Sequence, residues 1–396
     1  MEDSIIDSAF REIGGIVRTA IERPIKICIV SSPGMGGSGI MGASVASALS
    51  RQGHDTHMVS YRRPFRLYNK GVRTHYIPLR NYQALDHFPV VMSTASKLYN
   101  VVIKHEMEII NVHYAIPYSA ASYLAREMFK LEGIKIPIVT TVHGTDVHTI
   151  GQRKELKDVV RFTLKSSDGI TTVCNYLGDQ IKKKFNIDNN LKVIYNYVDT
   201  ERFKKTDNLS LRKKLGQGEK VILHASNFRA IKNIDDIINT FRKVKKSVPS
   251  RLVLVGDGPE KQRIKRKVSR FKLSKSVLFV DTRKDMEKFY SAADLFMLAS
   301  IREGCPLSIL EAMSSSLPII STKVGGIPEV VQDGKTGHLT KIGDVENMAD
   351  KTIDLLTNDK KREKMGNAAR SSVLKKFTAD KIMPQYESYY KKLLLS

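Results

Sequence analysis

The sequence predicts an α/β protein built from two doubly wound, Rossmann-like domains. From residue 25 onward, short apolar runs typical of buried strands alternate with segments of helical periodicity, which favours parallel sheets covered by helices on both faces. The strand candidates fall into two series, separated by a polar stretch near residues 199–219. A chain of 396 residues is also longer than a single hydrophobic core usually supports.

The predicted strands can be read off the chain in order. The first series comprises IKICIV, DTHMVS, RTHYIP, IINVHY, PIVTTVHG, GITTV and KVIYNYV. The second series comprises KVILHAS, RLVLVG, SVLFVD, LFMLAS, PIISTKV and GHLTK. Because parallel sheets bind their ligands at the carboxyl ends of the strands, we expect the chemistry to lie in the loops that follow these strands.

The loop SSPGMGGSGI follows the first predicted strand and contains glycines at positions 34, 36 and 39, a G-x-G-x-x-G pattern. Glycines of this kind let backbone N–H groups approach an anion at a helix N-terminus. A dinucleotide-binding domain would also place an acid at the end of its second strand, but DTHMVS continues into YRRP. The Gly-Lys-Ser/Thr of a P-loop is missing from this stretch as well. The loop therefore predicts a phosphate site without a nicotinamide cofactor.

Charged and small residues also follow the strands of the second series. Asn227, Arg229 and Lys232 lie in one such loop, and Gly256 ends another strand. Glu303 and Glu311 stand eight positions apart, with the second on a predicted helix. Each of these side chains alone could simply face water. Their recurrence at the ends of successive strands instead indicates an anion-binding cleft.

The composition excludes several classes of protein. A hydrophobic content of 41% and a charged content of 27% are normal for a globular protein, and the sequence lacks an apolar run of the roughly 20 residues that span a bilayer. The first residues have neither the basic segment nor the cleavage site of a signal peptide. The isolated cysteines, Cys28, Cys174 and Cys305, suit packing positions in a reducing compartment. We expect a cytoplasmic protein.

The formal net charge of +24 has several explanations. Solvated helix faces account for it most simply, whereas an anionic membrane surface or an anionic substrate would give it a function. No nucleic-acid-binding motif accompanies the charge, so we expect no nucleic-acid partner. Residues 3–22 form an apolar helical stripe that would pack on the first domain or on a second subunit. Peripheral membrane contact and a homo-oligomer therefore both stay open.

The motifs together resemble retaining GT-B glycosyltransferases of family 4, whose signature is a pair of glutamates with seven residues between them. The first domain is similar to the branch of this family that joins N-acetylglucosamine to L-malate in bacillithiol biosynthesis. The segments that carry the resemblance cover nearly the whole chain from residue 25, and they are GGSGI, PFRL, ASK, HYAIPYSA, TTVHGTD, RF…SSD, SNFR with Lys232, VGDGPEK and the glutamate pair.

The resemblance implies two domains that face each other across a cleft. It implies a first domain of residues 1–198, completed by a C-terminal helix of about 377–396, and a nucleotide-sugar domain of residues 199–376. It implies transfer from a UDP-sugar, with N-acetylglucosamine as the expected sugar. The implied catalytic residues are His143, Arg229, Lys232 and Glu303. The implied donor-binding residues are Gly36, Gly37, Asn227, Gly256, Arg283, Cys305, Leu307 and Glu311, and the implied acceptor-binding residues are Tyr114, Thr145 and Arg161.

Some features depart from the family pattern or leave alternatives open. Many relatives have arginine where Asn227 stands, and the malate branch has Phe-Gly where this chain has Cys305-Pro306. Proline removes a backbone N–H that could bind the sugar. The chain has no Asp-x-Asp motif, so we expect no metal and no cofactor. Alternatives to a malate transferase are a lipid or polysaccharide acceptor at a membrane, a UDP-sugar epimerase, a non-catalytic binding protein and, less favoured, a hydrolase.

Overall fold

Two parallel β-sheets organise the protein in a computed structural model that describes residues 23–78, 89–188 and 190–396. The strands of the first sheet are β1 Lys26–Val30, β2 Asp55–Ser60, β3 Arg73–Tyr76, β4 Ile109–His113, β5 Ile138–Val142, β6 Gly169–Thr172 and β7 Leu191–Val193. The strands of the second sheet are β8 Lys220–Ala225, β9 Ser250–Val255, β10 Val277–Val280, β11 Leu295–Leu298, β12 Ile319–Thr322 and β13 Gly337–Thr340. Each strand overlaps a segment that the sequence predicts to be a strand, although β7 and β9 each begin one residue earlier than predicted.

Helices connect the strands and cover both faces of the sheets. In the first half they are α1 Gly37–Arg51, α2 Val90–His105, α3 Ala120–Leu131, α4 Thr145–His148, α5 Lys154–Lys165 and α6 Asn175–Phe185, with short helical turns at Ala115–Ser119 and Ile150–Gln152. Those that follow are α7 Leu209–Gly216, α8 Ile234–Ser247, α9 Lys261–Arg270, α10 Met286–Ser291, α11 Leu307–Ser314, α12 Ile327–Val330, α13 Val345–Thr357, α14 Asp359–Lys376 and α15 Ala379–Leu394, with a 3-10 turn at Ala230–Lys232. None of the described helices is long and apolar enough to cross a membrane.

The strand order places the loops of interest together. The sheets have the orders β3-β2-β1-β4-β5-β6-β7 and β10-β9-β8-β11-β12-β13, and neighbouring strands run parallel. The order therefore reverses between β1 and β4 in one sheet and between β8 and β11 in the other. Such a reversal opens a crevice at the carboxyl ends of the two strands. The glycine loop follows β1, Asn227 follows β8, and Glu303 follows β11.

The apolar runs of the sequence are buried because helices cover each sheet on both faces. Ile27, Ile29 and Val30 of β1 have no exposed surface, and neither do Val221 and Leu223 of β8. The cysteines Cys28, Cys174 and Cys305 are all buried and free, as the sequence predicts. Burial of continuous apolar strands in this way is the usual arrangement of parallel sheets.

The seventh strand is shorter than the sequence predicts. KVIYNYV extends to residue 198, but β7 ends at Val193, because the chain then leaves the sheet to pass between the two sheets. In this crossing the amide of Asn196 donates a hydrogen bond to the carbonyl of Cys305 at 2.6 Å. The hydroxyl of Tyr197 donates to the carbonyl of Ser44, also at 2.6 Å. The alternating side chains of this segment thus contact both halves of the protein.

The C-terminal helix α15 returns to the first sheet. Tyr386, Tyr389 and Tyr390 are buried there, and the Tyr389 hydroxyl accepts a hydrogen bond from the backbone N–H of Ile170 at 3.1 Å. Glu387 on the same helix lies 2.7 Å from Nε2 of His54. The predicted domain limits at residues 198 and 376 stay predictions. The helix predicted for residues 3–22 lies outside the described residues.

Candidate active site

The glycine loop presents an uncapped helix N-terminus to the cleft. Helix α1 begins at Gly37 with Gly36 as its N-cap, and neither a capping side chain nor an acid in the first turn satisfies its backbone N–H groups. A Cβ atom built on Gly36 or Gly37 would have none of the described atoms within 4 Å, whereas one on Gly39 would lie 2.5 Å from the carbonyl oxygen of Gly34. The loop is therefore tight at its base and open where an anion would bind.

The second domain places cationic and amide groups opposite this loop. Arg229 is exposed, and Lys232 lies in the 3-10 turn after it. The side-chain oxygen of Asn227 is buried without a hydrogen-bond partner among the described residues. Buried polar atoms are rarely left unpaired, so this oxygen is free to accept a hydrogen bond from a ligand.

Two glycines hold the loops of the second domain in close contact. Gly256 has a φ of +139°, and a Cβ atom there would lie 1.9 Å from the carbonyl oxygen of Ser226. Gly325 has a φ of +55°, and a Cβ atom there would lie 1.9 Å from the carbonyl oxygen of Glu303. Only glycine tolerates both the conformation and the approach. Gly325, in the loop after β12, thus packs directly against the backbone of Glu303 and holds it in place.

Glu303 is held in place by two hydrogen bonds from its own domain. Nζ of Lys232 lies 2.5 Å from its Oε1 atom, and Oγ of Ser300 donates to the same atom at 2.7 Å. The side chains of Lys232 and Glu303 are 19% and 10% exposed, so water screens this ion pair only in part. The pair leaves Oε2 of Glu303 available to a ligand hydroxyl group.

Glu311 is buried and faces the first domain, which excludes the alternative that it simply faces water. The Arg66 guanidinium donates to its Oε1 atom, and both side chains are 8% exposed. The Tyr290 hydroxyl donates to Oε2 at 3.0 Å. Arg66 follows β2 and has a φ of +63°. The two predicted glutamates therefore lie on the same edge of the second sheet, with Glu311 in direct contact with the first domain.

The first domain contributes a paired histidine at the cleft. Nε2 of His143 lies 2.9 Å from Nδ1 of His113, and burial lowers the pKa of His143 to about 3. Burial also lowers the pKa of His113 well below its usual value. Both imidazoles are therefore neutral at neutral pH.

The loop around His143 is organised by a buried carboxylate. Asp146 accepts hydrogen bonds from the backbone N–H groups of Gly144 at 2.8 Å and of His143 at 3.4 Å. Burial raises the pKa of Asp146 to about 6. A carboxylate in this position fixes the loop that carries both His143 and Thr145.

Tyr114 lies where the two domains meet. Burial, together with the nearby Asp146 carboxylate, raises the pKa of Tyr114 to about 12, while Thr145, Ser38 and the charge of Arg229 act in the opposite direction. Thr145 and Ser38 belong to the first domain and Arg229 to the second. The structure therefore brings Tyr114 and Thr145 of the predicted acceptor site next to the glycine loop and to a predicted diphosphate cation.

Three other predicted donor-site residues make none of the contacts described so far for this site. Cys305 is buried, and its carbonyl is occupied by Asn196. Leu307 is the first residue of α11. Arg283 is exposed, and its guanidinium binds both carboxylate oxygens of Asp285, at 2.9 and 3.0 Å. Their assignment to the donor site stays a prediction.

Arg161 is exposed on α5, and its side chain forms no hydrogen bond or ion pair with the described residues. The helix that carries it lies beside the turn after Tyr114, since Oγ of Ser119 donates to the carbonyl of Thr163 at 3.4 Å. The structure thus places Arg161 on a neighbouring element without joining it to Tyr114. Its role in acceptor binding stays a prediction.

The structure adds residues to the site that the sequence motifs do not assign. Arg66 lies in PFRL and His113 in HYAIPYSA, two of the segments that resemble the family. Ser300 and Tyr290 belong to none of the sequence motifs, although each donates a hydrogen bond to one of the predicted glutamates. The position of Arg66 in a loop after a predicted strand was the available signal.

Comparisons with known proteins agree with this architecture. Residues 35–202 match the family Glycosyltransferase Family 4, and residues 207–372 match Glycosyl transferases group 1. The N-acetyl-alpha-D-glucosaminyl L-malate synthase of Bacillus anthracis is 36% identical over 371 residues, which cover 92% of this chain and 96% of that relative.

Solved structures show the same fold at low sequence identity. A sucrose-phosphate synthase from Thermosynechococcus elongatus has a TM-score of 0.81 at 19% identity and covers 94% of this chain and 100% of its own. The Anabaena protein HepE, solved in complex with UDP and glucose, has a TM-score of 0.80 at 19% identity, with coverages of 92% and 98%.

Proposed function

Because this chain belongs to the GT-B glycosyltransferases, with family 4 and group 1 domains, we propose that it transfers N-acetylglucosamine from a UDP-sugar to L-malate with retention at the anomeric carbon. Malate and N-acetylglucosamine enter the proposal through the Bacillus anthracis relative, whose name gives both. UDP enters it through HepE, which was solved with that nucleotide.

The convergence of the two domains on one cleft carries the proposal. The helix N-terminus at Gly37 belongs to the first domain, and Arg229 and Lys232 belong to the second. Arg229 lies close enough to Tyr114 to influence its pKa, and Arg66 reaches across the cleft to Glu311. A diphosphate between these groups would meet backbone N–H groups on one side and two side-chain cations on the other.

The chemistry of transfer suits this set of groups. The bond from the anomeric carbon to the diphosphate oxygen breaks, and a bond from the same carbon to the malate hydroxyl oxygen forms. The hydroxyl proton passes to the departing UDP, so atoms and charge balance. Negative charge grows on the leaving diphosphate, and fixed donors aimed at that charge lower the barrier. Lys232, Arg229 and the N–H groups of the glycine loop would supply these donors, so the proposal requires no metal or cofactor at the diphosphate.

The glutamates and His143 would position the donor. Glu311 would accept hydrogen bonds from the ribose hydroxyls, and Glu303 would accept from the transferred sugar through its free Oε2 atom. His143, neutral at neutral pH, would face the anomeric centre as a hydrogen-bonding group rather than as a cation. Asn227 would complete the donor site with its unpaired oxygen.

Tyr114, Thr145 and Arg161 would bind the acceptor on the first domain. A small dianion such as malate requires a cation and hydroxyl donors, and a guanidinium meets a carboxylate with two parallel hydrogen bonds. Tyr114 and Thr145 are already side by side next to the glycine loop. Arg161 would supply the positive charge from the neighbouring helix α5.

Acceptor-dependent release of UDP tests this proposal. Purified protein is incubated with UDP-N-acetylglucosamine and, in separate reactions, L-malate, an inositol phosphate, or vesicles containing anionic lipid. We expect UDP release with malate in the absence of vesicles. UDP release that requires vesicles and does not depend on malate would instead favour a lipid acceptor. The net charge of +24 would then attract the protein to an anionic membrane surface. Conversion of the donor without any acceptor would indicate an epimerase.

A further inference from the structure

Three histidines meet at the outer edge of the first sheet, away from the proposed active site. His57 lies on β2, His75 on the edge strand β3, and His105 is the last residue of α2. Within the described part of the chain, this is the one group of three potential ligand side chains close enough to hold a metal ion, with all three ligand atoms within 4.8 Å of one another. From this geometry we propose that the three histidines bind a divalent transition-metal ion, with Zn²⁺ as the expected occupant.

The distances suit a metal site after small side-chain rotations. Nδ1 of His57 and Nε2 of His75 are 3.0 Å apart. The rings of His57 and His105 are 4.4 Å apart between centroids, and those of His75 and His105 are 5.1 Å apart. Three nitrogens bound tetrahedrally to Zn²⁺ at about 2.0–2.1 Å lie roughly 3.3 Å from one another. His75 and His105 are only half-buried, so their side chains have room to turn toward such a position.

The unused nitrogen of His57 lies where a ligand histidine would have a supporting partner. If Nδ1 of His57 binds the metal, its Nε2 atom faces Oδ1 of Asp55 at 3.3 Å. This buried Nε2 atom has no properly oriented hydrogen-bond partner among the described residues. Metal-bound histidines commonly donate their second N–H to a carboxylate, which fixes the ring and strengthens the ligand. A small rotation of His57 toward the metal would give Asp55 this function.

The electrostatic surroundings permit a cation at this place. Imidazoles bind metals in their neutral state, which predominates at neutral pH for an ordinary histidine. Of the neighbouring cations, Arg73 is bound to Asp55 at 2.7 Å. Lys26 is bound to Glu106, also at 2.7 Å. The charges of Lys97 and Lys104 also act on His75, and neither lysine has an ion-pair partner among the described residues, so both oppose metal binding.

Imidazole ligands favour zinc, copper and nickel over calcium or magnesium, which prefer oxygen ligands. Three histidines leave a fourth tetrahedral position for water.

The position in the fold indicates a structural function for the metal. His57 lies near the start of β2, and His105 ends α2, which runs antiparallel to the strands, so the site is at the edge of the sheet opposite the cleft. A bound metal would fasten the edge strand β3 and the end of α2 to β2.

Calorimetric titration of tag-free, EDTA-treated full-length protein with ZnCl₂ tests this inference. We expect one Zn²⁺ per chain, a higher thermal unfolding midpoint with zinc, and unchanged kcat in the transferase assay. His75→Asn and His105→Asn should each weaken zinc binding by roughly tenfold or more, since each removes one of three ligands. Circular dichroism confirms that these variants are folded.

His338→Asn provides the matched control. His338 is another buried histidine near a carboxylate, with Nδ1 3.8 Å from Asp333, but it lies in the second domain outside the cluster. It should bind zinc like the unaltered protein. Absence of zinc binding by the unaltered protein would overturn the proposal. Binding that survives in both His75→Asn and His105→Asn would overturn it too, because the metal would then be held elsewhere.

Discussion

Arg66 of the first domain and Glu311 of the second form a buried ion pair across the cleft, with both side chains 8% exposed. Glu311 is also the residue expected to hold the ribose of the donor. In the structure Arg66 donates to one oxygen of that carboxylate and Tyr290 to the other. Binding of the nucleotide has to displace or share these donors, which makes the ion pair a link between donor binding and the relative position of the domains.

Removing Arg66 should tighten the binding of UDP. The variant Arg66→Met keeps an apolar side chain in place but abolishes the competition for Glu311, and a buried carboxylate without its cation gains more from ribose hydroxyls. We expect a severalfold decrease in the Kd of UDP by calorimetry. Arg73→Met, at an arginine paired with Asp55 outside the cleft, is the matched control. Weaker binding in Arg66→Met would mean that Arg66 itself holds the nucleotide.

Neutralising Glu311 should weaken the binding of UDP. Glu311→Gln keeps the size of the side chain but loses charge-assisted hydrogen bonds to the ribose, which contribute about 1.5–3 kcal/mol, or roughly 10- to 100-fold in Kd. Glu346→Gln, at an exposed glutamate that pairs with Lys243, is the control and should leave affinity unchanged. Equal affinities in a folded Glu311→Gln protein would remove Glu311 from the donor site.

Lys232→Met should lower kcat much more than it raises the KM for the UDP-sugar. The ammonium group is held beside Glu303 at 2.5 Å, and it would act most strongly on the charge that develops on the leaving diphosphate. Steady-state kinetics with saturating acceptor separate the two constants. Lys243→Met serves as the control at an outlying ion pair. A raised KM with unchanged kcat would show that Lys232 contributes only to ground-state binding.

His143 should make the folded state sensitive to acid. Burial lowers its pKa from 6.5 to about 3, so between these values the unfolded chain binds a proton that the folded protein does not. The free energy of unfolding therefore falls as pH decreases from 6.5 toward 3. Because the ring is partly open to the cleft, we expect about 1–2 kcal/mol of this loss between pH 6.5 and 4.5.

Denaturant titrations of the unaltered protein and of His143→Asn at both pH values measure this contribution. The variant should lose less stability on acidification, with the difference equal to the part that His143 contributes. His338→Asn is the comparison at a histidine outside the cleft. If the free energy of unfolding decreased equally in His143→Asn and in the unaltered protein, His143 would have the same pKa in the folded and unfolded states.

The sequence predicts the sheets more completely than the site. All thirteen described strands overlap predicted segments, because continuous apolar runs identify the strands of a parallel sheet without tertiary information. The sequence places the end of β7 too late, since an apolar, alternating segment such as KVIYNYV can also pack between two domains. Its actual contacts, Asn196 with Cys305 and Tyr197 with Ser44, depend on how the halves are joined.

The parts of the site that were not predicted depend on contacts between distant elements. Arg66 and Glu311 are separated by 245 positions, and their pairing follows only from the closeness of the two domains. The cluster of His57, His75 and His105 has no short metal-binding motif, because its members come from two strands and the end of a helix. No sequence pattern therefore predicts a metal here, whereas in the fold the register of β2 and β3 puts His57 and His75 on one face of the sheet.

The product of a reaction with UDP-N-acetylglucosamine and L-malate is the most direct test of the central claim. Nuclear magnetic resonance of the reaction mixture identifies the glycoside and the configuration of its anomeric carbon, and the released UDP is measured in parallel. The account predicts an α-linked N-acetylglucosaminyl malate formed in equal amount to UDP, and its loss in Arg161→Ala but not in Arg73→Met. A β-linked product, or UDP release that malate does not change, would contradict it.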